Sequence, residues 1–566
     1  MKEENRNLVL FFAISVLIMI GYPHFFDNRS NVENHIAHQN VVSEEANAKS
    51  THDKAIKKIA PANMEKVQDI ILDSNGLRGV ISTHGVKINN VLLKNYNKYL
   101  NDKDGERVSV FGDKEDKYYA YNSWISENAD MPLPDENTIW KASSTTLSED
   151  SPVVLTWDNQ NGLLFEKEIS VDDRFVITIV DRVKNYGETA IPIRSTTKII
   201  REFDKNSTNT WVAYEGPLGY LNGRLEEVKY EDIVKKGEIK HQTIGGWFGI
   251  TDKYWLVVFI PEQNANINVS YKYATYLNKN IYTVESYGEQ NLLVPSSKLM
   301  QKHHLFVGAK EIRTLDMYEK KLGIKHFDLA IDFGWLYILT KPLLYSLVFI
   351  KDIVGNMGLG ILLLTLLIKL LLLPLANKSY RSMNRMKEIQ PKIQALQKKY
   401  ANDKVKLGQE VSEIYKKEGV NPVGGCLPIL LQSPVLFALY KVLYISIEMR
   451  HAPFIFWIHD LSLPDHMFIF NLFGLIPIDL PGFLQIGIWP LLMGLSMFWQ
   501  QKMGPTSSDP VQANMMLMMP VMFTFMFAQL PSGLVIYWTF SNVLAIAQQY
   551  YITKSEENRI KREKSG

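Results

Sequence analysis

A single cysteine, Cys426, stands in 566 residues, which excludes an intrachain disulfide and any metal cluster built on several thiolates. The phosphate-cradling GxxxxGKS or GxxxxGKT loop, the zinc-protease HExxH and the hydrolase elbow GxSxG are all missing. Neither a P-loop engine nor the commonest hydrolase chemistry is therefore expected. The adjacent His303 and His304 have no carboxylate at ligand spacing, so no metal is assigned and no cofactor is expected. The formal charge of +2 singles out no partner. Residues 30–60 contain no aromatic side chain and read as a flexible linker, since they cannot bury enough surface to offset ordering.

What the chain does have is apolar residues gathered at its N-terminus and after residue 327. The decisive stretch is residues 358–374, GLGILLLTLLIKLLLLP, with Lys369 inside it. A hydrocarbon core of roughly 30 Å needs about 20 helical residues, and residues 357–376 supply them. A lysine at the centre of such a span costs on the order of 2.5–3.5 kcal/mol. Two readings stay open for it. In one the ammonium faces a polar cavity inside a helix bundle, sharing a helix face with Thr365 four residues earlier. In the other it snorkels toward Asn377, about 12 Å away along the axis, of which its stem covers about half.

Taken in order, residues 1–28 read as an uncleaved signal-anchor helix, the alternative being a signal peptide cut at an unrecognised site. Residues 29–64 form the linker. Residues 65–325 alternate short Val-, Ile-, Thr- and aromatic-rich runs with Asn, Gly and Asp turns, which predicts an all-β sandwich outside the cytoplasm. Trp211, Trp247 and Trp255 are expected in its core or against its sheets. Residues 326–355 are expected to lie along the outer interface as an amphipathic helix, broken at Pro342. Residues 356–377 are the second span. Residues 378–421 carry eleven Lys and Arg against five Asp and Glu over 377–420, which places them in the cytoplasm. Apolar seams at Met386, Ile389, Ile393, Leu396 and Tyr400, then at Leu407, Val411 and Ile414, predict a helical hairpin there. It is either a solvated hairpin or a docking arm. Residues 422–551 hold spans three to six, and Lys441 is expected to snorkel outward near one span end. Residues 552–566 are a basic cytoplasmic tail. The fold class is a multi-pass α-helical membrane protein of six spans, both termini inside, with a large β domain outside.

The later spans carry polar residues where lipid contact would be costly: Thr365, Lys369, Gln432, Thr524, Gln529, Ser541 and Asn542. Interhelical hydrogen bonding explains most of them, at about 0.6 kcal/mol each. It does not explain a cation with no acidic residue in these spans to neutralise it. Met515, Met518, Met519, Met522 and Met526 give one span a soft face able to repack around varied apolar shapes. Together these features fit a site for a variable hydrophobic helix with an acidic flank.

The blocks GGWFGITDKYW, FDLAIDFGWLYILTKPL, NPVGGCLPILLQSPVLFALY, FWQQKMGPTSSDP and LPSGLVIYW are long and specific, and with the N-terminal anchor they span most of the chain. In them the sequence resembles the YidC family of bacterial membrane protein insertases, in its long Gram-negative form. The resemblance implies a five-helix insertase core and a periplasmic β-sandwich. It also implies a hydrophilic groove open to the cytoplasm and lipid, in the inner membrane. The family's groove arginine falls on Lys369, its threonine on Thr365, and its final-helix aromatic on Trp538, beside Tyr537. Lysine keeps the charge but lacks the planar fork that clamps a carboxylate bidentately. Implied partners are nascent membrane proteins as substrates, the lipid bilayer, the Sec translocon, and the ribosome through hairpin and tail, with no specific nucleic acid. Two other functions are weighed against an insertase and membrane chaperone. One is a secondary transporter using Lys369 in an ion path, which would favour inverted repeats that are not evident. The other is a membrane-anchored carbohydrate protein, since sandwiches of this type host sugar sites.

Overall fold

Strand 163–171, LLFEKEISV, buries every second residue: Leu163, Phe165, Lys167, Ile169 and Val171. The period-2 rule therefore forces a lysine into the core, and the partner strand answers it. Asp181 of strand Val176–Asn185 lies directly opposite Lys167 in the antiparallel register. Their charged atoms are 2.6 Å apart, with both side chains almost fully buried. Asn122, from the facing sheet, accepts from the ammonium through its side-chain oxygen at 2.6 Å and donates to Asp181. A buried pair is tolerable when its remaining donors and acceptors are used in this way.

The computed structural model describes residues 68–100, 105–112, 117–127, 131–203, 213–400, 403–419, 427–478, 480–504 and 510–565. The expected anchor, the whole of the linker, Trp211 and Cys426 lie outside the described residues. Two sheets form the β region. The larger runs Glu238–Ile244, Asn266–Tyr276, Lys279–Tyr287, Ile191–Glu202, Tyr118–Ile125, Lys87–Asn97, Leu77–Ser82, Asp69–Asp73 and Thr146–Leu147. The smaller runs Arg224–Glu227, Gly216–Leu221, Trp247–Thr251, Trp255–Pro261, Lys298–Ala309, Val176–Asn185, Leu163–Val171, Val153–Asp158 and Lys141–Ala142. Trp247 is fully buried, edge-on to Phe327, and Trp255 is half-buried against Tyr96. Helices α1 (Tyr230–Lys236) and α2 (Ile312–Leu322) complete the β region, α2 through Leu315 and Tyr318 in the core.

The helical half comprises α3 (Tyr337–Val354), α4 (Met357–Lys399), α5 (Lys404–Lys417), α6 (Leu427–Ile445), α7 (Ile488–Met503), α8 (Pro510–Phe527) and α9 (Ser532–Ser565). Among the described residues α4 alone is long and apolar enough to cross a membrane by length and composition, and 514–527 is a shorter apolar helix. Asn356 caps α4 by accepting from the Leu359 amide at 3.0 Å. Three sequence expectations change here. Pro342 does not break its helix, because α3 is continuous through it. It sits one turn in, so its missing N–H costs a single intrahelical bond. The boundary at 377/378 leaves no break either, since the second span and the first hairpin arm are one 43-residue helix running through Pro374 and Pro391. The hairpin contact itself closes Ile389 and Ile393 on Val411, Ile414 and Tyr415, while Leu396 and Tyr400 lie outside that cluster.

Lys441 is the third. It does not snorkel; its ammonium is 2.6 Å from Asp332 Oδ2, an oxygen that also accepts from the Tyr214 amide. A carboxylate from the segment joining the halves is a better solvent for it than the membrane surface. Nearby, the Lys253 ammonium lies 4.0 Å from the Tyr444 ring centre. Arg450 donates to the Asn97 and Lys98 carbonyls at 2.8 and 3.0 Å. The sandwich is thus fastened to the helical half through Lys441, Tyr444 and Arg450.

His303, in strand Lys298–Ala309, is pushed down to about 4 by burial, with Asp181 opposing and Lys167 reinforcing. His304 is also pushed down to about 4, again chiefly by burial. Unfolded imidazoles titrate near 6.5, so between about pH 6.5 and 4 the unfolded chain takes up protons that the folded sandwich refuses. Stability is then complete above about pH 6.5 and falls as the pH drops through that window. The loss reaches on the order of 3 kcal/mol per histidine by pH 4. Unfolding of the sandwich followed by near-ultraviolet circular dichroism should show this slope, and His303→Gln should flatten it; an unchanged slope would refute the assignment.

Candidate functional site

On α4, Thr365, Ile368, Lys369 and Leu372 follow 3-1-3 steps and so fall on one face. That face meets Gln432 and Val435 of α6 and Tyr537 and Ser541 of α9 around a small cavity. The cavity measures about 10 Å³, close to the lower limit for a single water.

A chain of hydrogen bonds crosses it. The Lys369 ammonium donates to Gln432 Oε1 at 3.1 Å, and Gln432 Nε2 donates to Ser541 Oγ at 2.9 Å. An ammonium can only donate, so it fixes which end of the amide faces it and leaves the NH₂ for α9. The Tyr537 hydroxyl lies within hydrogen-bonding reach of Gln432 and Ser541. Thr365 is buried, and its hydroxyl donates to the Ile361 carbonyl one turn back at 2.6 Å. Lys369 is half-buried, and among the described residues no charged group bears on it. Between the two sequence readings, the inward-facing one describes this geometry: the amine bonds across to α6.

The structure brings five of the expected residues together: Thr365, Lys369, Gln432, Tyr537 and Ser541. Two polar or aromatic candidates go elsewhere. Asn542 is buried and donates to Ser496 Oγ at 3.1 Å, tying α9 to α7. Trp538 stacks edge-on against Phe527, with ring centres 4.7 Å apart, and beside Phe523. The phenol at the cavity is Tyr537, one residue before the aromatic that the resemblance picked out. Met515, Met518, Met522 and Met526 are exposed on α8 and Met519 is half-exposed; none of them lines the cavity. Of the remaining polar residues, Thr524 packs where a side chain at Gly494 would collide with its hydroxyl, so α7 and α8 approach closely there. Sequence reasoning passed over Ile368, Leu372 and Val435; the signal was their helical spacing from Lys369 and Gln432.

Two family profiles match the chain. One, described as 60Kd inner membrane protein, covers residues 349–559, and the other, YidC periplasmic domain, covers residues 69–346. A membrane protein insertase YidC of Rickettsia bellii (strain OSU 85-389) is 42% identical over 563 residues, 98% of this chain and 100% of that one. Its counterpart in Rickettsia massiliae (strain Mtu5) is 42% identical over 561 residues, with the same shares. Among solved structures, an active YidC insertase with its first transmembrane domain resolved aligns at TM-score 0.36 and 17% identity, covering 88% of this chain and 95% of that one.

The Gln432 amide is the acceptor that makes a desolvated ammonium tolerable. Gln432→Leu should lower thermal stability in detergent by about 1–3 kcal/mol, the cost of a buried donor left without a partner. In a Lys369→Met background the same change should cost much less, so the double-mutant cycle should be strongly non-additive. Additive losses would mean that the two side chains do not depend on each other.

Proposed function

Because this chain belongs to the YidC family of membrane protein insertases, we propose that it inserts and helps to fold inner-membrane proteins through the groove that Lys369 marks. It is an inner-membrane protein with a periplasmic domain, its substrates are nascent membrane proteins, and it is not an enzyme. The proposed topology has six spans and both termini in the cytoplasm. Operation is alone or beside the Sec translocon, with hairpin and tail meeting the ribosome.

One observation carries the groove mechanism: Lys369 is held by a neutral amide rather than by a carboxylate. That hold is weak enough to exchange. A neutral hydrogen bond nets about 1 kcal/mol, or 1.5–3 when one partner is charged. A client carboxylate at ~4 Å gains roughly 4 kcal/mol at an effective dielectric of about 20. An acidic client flank therefore displaces Gln432 from the ammonium, and the freed amide can serve the client backbone. The cavity of about 10 Å³ is far too small for a helix, so α4 and α9 must part from α6 as the client enters. The apolar part of the client needs no such help, since each Leu, Ile, Phe or Val gains about 0.3–0.6 kcal/mol on entering lipid. The methionines exposed on α8 supply an adaptable wall along which such a helix slides out. An ion path has less support, because among the described residues no carboxylate, histidine or second cation lines the cavity beside Lys369 to relay a charge.

The test is insertion into vesicles reconstituted with the full-length protein. Lys369→Ala and Lys369→Glu should slow insertion of a client with an acidic translocated tail by about tenfold, equivalent to about 1.4 kcal/mol. Lys369→Arg should retain most activity, and a client with a neutral tail should be little affected by any of the three. Equal insertion of the acidic client by the alanine and parent forms would remove the groove-charge mechanism.

A further inference from the structure

The segment between α6 and α7 forms a cap over the outer ends of the helices, and it has two apolar faces. Its inner face is buried: Ile447, Met449, Phe454, Ile458 and Leu461 are each at most 6% exposed. It is pinned to the helix ends by the Asn356 amide, which donates to the Phe454 carbonyl at 3.1 Å, and by the Gly533 N–H, which donates to the Leu461 carbonyl at 3.0 Å. The outer face should be polar if it met water. Instead Phe456 is 78% exposed, Leu475 80% and Ile478 59%, with Phe470, Leu472 and Phe473 about half exposed. In the sequence MFIFNLFGLIPIDLPGF, residues 467–483, the single charged residue is Asp479.

This face is built rather than frayed. The buried Asp465 carboxylate accepts from Trp457 Nε1, the Met467 amide and the Trp489 amide at 2.9, 3.0 and 2.9 Å. Asn471 Oδ1 accepts from the Gly474 amide at 2.9 Å, and the Phe473 amide donates to the Phe468 carbonyl at 2.9 Å. Leu472 and Phe473 hold φ of 52° and 62°, a left-handed conformation costly for bulky side chains. Local strain is thus accepted at the two residues that turn the apolar tip outward. The Ile469 amide donates to the Ile486 carbonyl at 3.1 Å, which ties the base of this knob to the residues that lead into α7. α7, which begins two residues after Ile486, in turn exposes Leu491, Leu492 and Leu495.

We propose that the knob of residues 468–478 is sunk among the acyl chains of the periplasmic leaflet, as an apolar wedge at the outer end of the bundle. The chain runs from this knob into α7, a span in the topology proposed above, whose exposed leucines would face lipid in an inner-membrane protein, and this selects lipid over a protein partner. The proposal rests on the topology given above for α7 as a span and for which leaflet is meant.

The test uses the full chain with Cys426→Ser as a cysteine-free background. Phe473→Cys carries an environment-sensitive nitrobenzoxadiazole label, and Leu277→Cys, 79% exposed at a hairpin of the sandwich, carries the same label as reference. In phosphatidylethanolamine–phosphatidylglycerol vesicles containing acyl-brominated lipid, the label at 473 should be blue-shifted and quenched severalfold more than the label at 277. Water-like emission and no quenching at 473 would overturn the proposal. So would a blue shift that vanishes as the lipid-to-protein ratio rises, which would mean a second copy covers the knob. A shift that appears only in native membranes, and not in pure lipid, would equally overturn it in favour of a protein partner. Dithionite added from one side reads the leaflet separately: quenching by brominated lipid with the wrong sidedness would refute the topology and leave immersion intact.

Discussion

A cation taken out of water must be given something to face, and the helical half of this protein is arranged around how little Lys369 is given. One amide oxygen, 3.1 Å away, is its hydrogen-bond acceptor, and the amide is in turn oriented by a serine on a third helix. A carboxylate in the same place would form a closed pair, stable and inert toward an acidic ligand. An amide leaves the charge uncompensated. Three helices must converge for even this much, and the rest of the bundle supplies the closeness: Asn542 ties α9 to α7, and Gly494 lets α8 press against α7.

The sandwich solves the opposite problem with the opposite chemistry. Its inward lysine, Lys167, meets a carboxylate directly across the sheet and an asparagine from the other sheet. That arrangement is complete, so it locks the two sheets together and leaves nothing for a ligand. At the junction between the halves Lys441 is paired with Asp332, which again closes a charge off. Among these three buried or half-buried lysines, only Lys369, at the cavity between α4, α6 and α9, is left facing neutral partners.

Much of this was legible in the sequence. Alternating runs announced the sheets, and an apolar run interrupted by one lysine announced the site. Thr365 and Gln432 were found because polar side chains in spans have few reasons to exist. What was not legible depended on rotation and on contacts distant in sequence. Whether Tyr537 or Trp538 reaches the cavity is a matter of 100° about one helix axis, and both residues suit a groove by chemistry alone. Asn542 fits the same description as Ser541 and differs only in the helix it faces. Lys441 looked like a snorkelling residue because its partner, Asp332, is 109 positions away. Helix continuity through Pro342, Pro374 and Pro391 was hidden because proline removes one hydrogen bond, and neighbouring packing decides whether the helix survives the loss.

The 43 residues of α4 also set the mechanics of the site around Lys369. At 1.5 Å per residue the helix is about 65 Å long, more than twice the hydrocarbon thickness. No loop decouples its C-terminal end, where Ile389 and Ile393 hold the second arm of the hairpin, from the turn that carries Lys369. Contact with anything docking on that arm therefore reaches the ammonium as a twist or tilt of one rod. The points at which the rod can yield are Pro374 and Pro391, which makes the two prolines the joints of a lever whose short end is the charge.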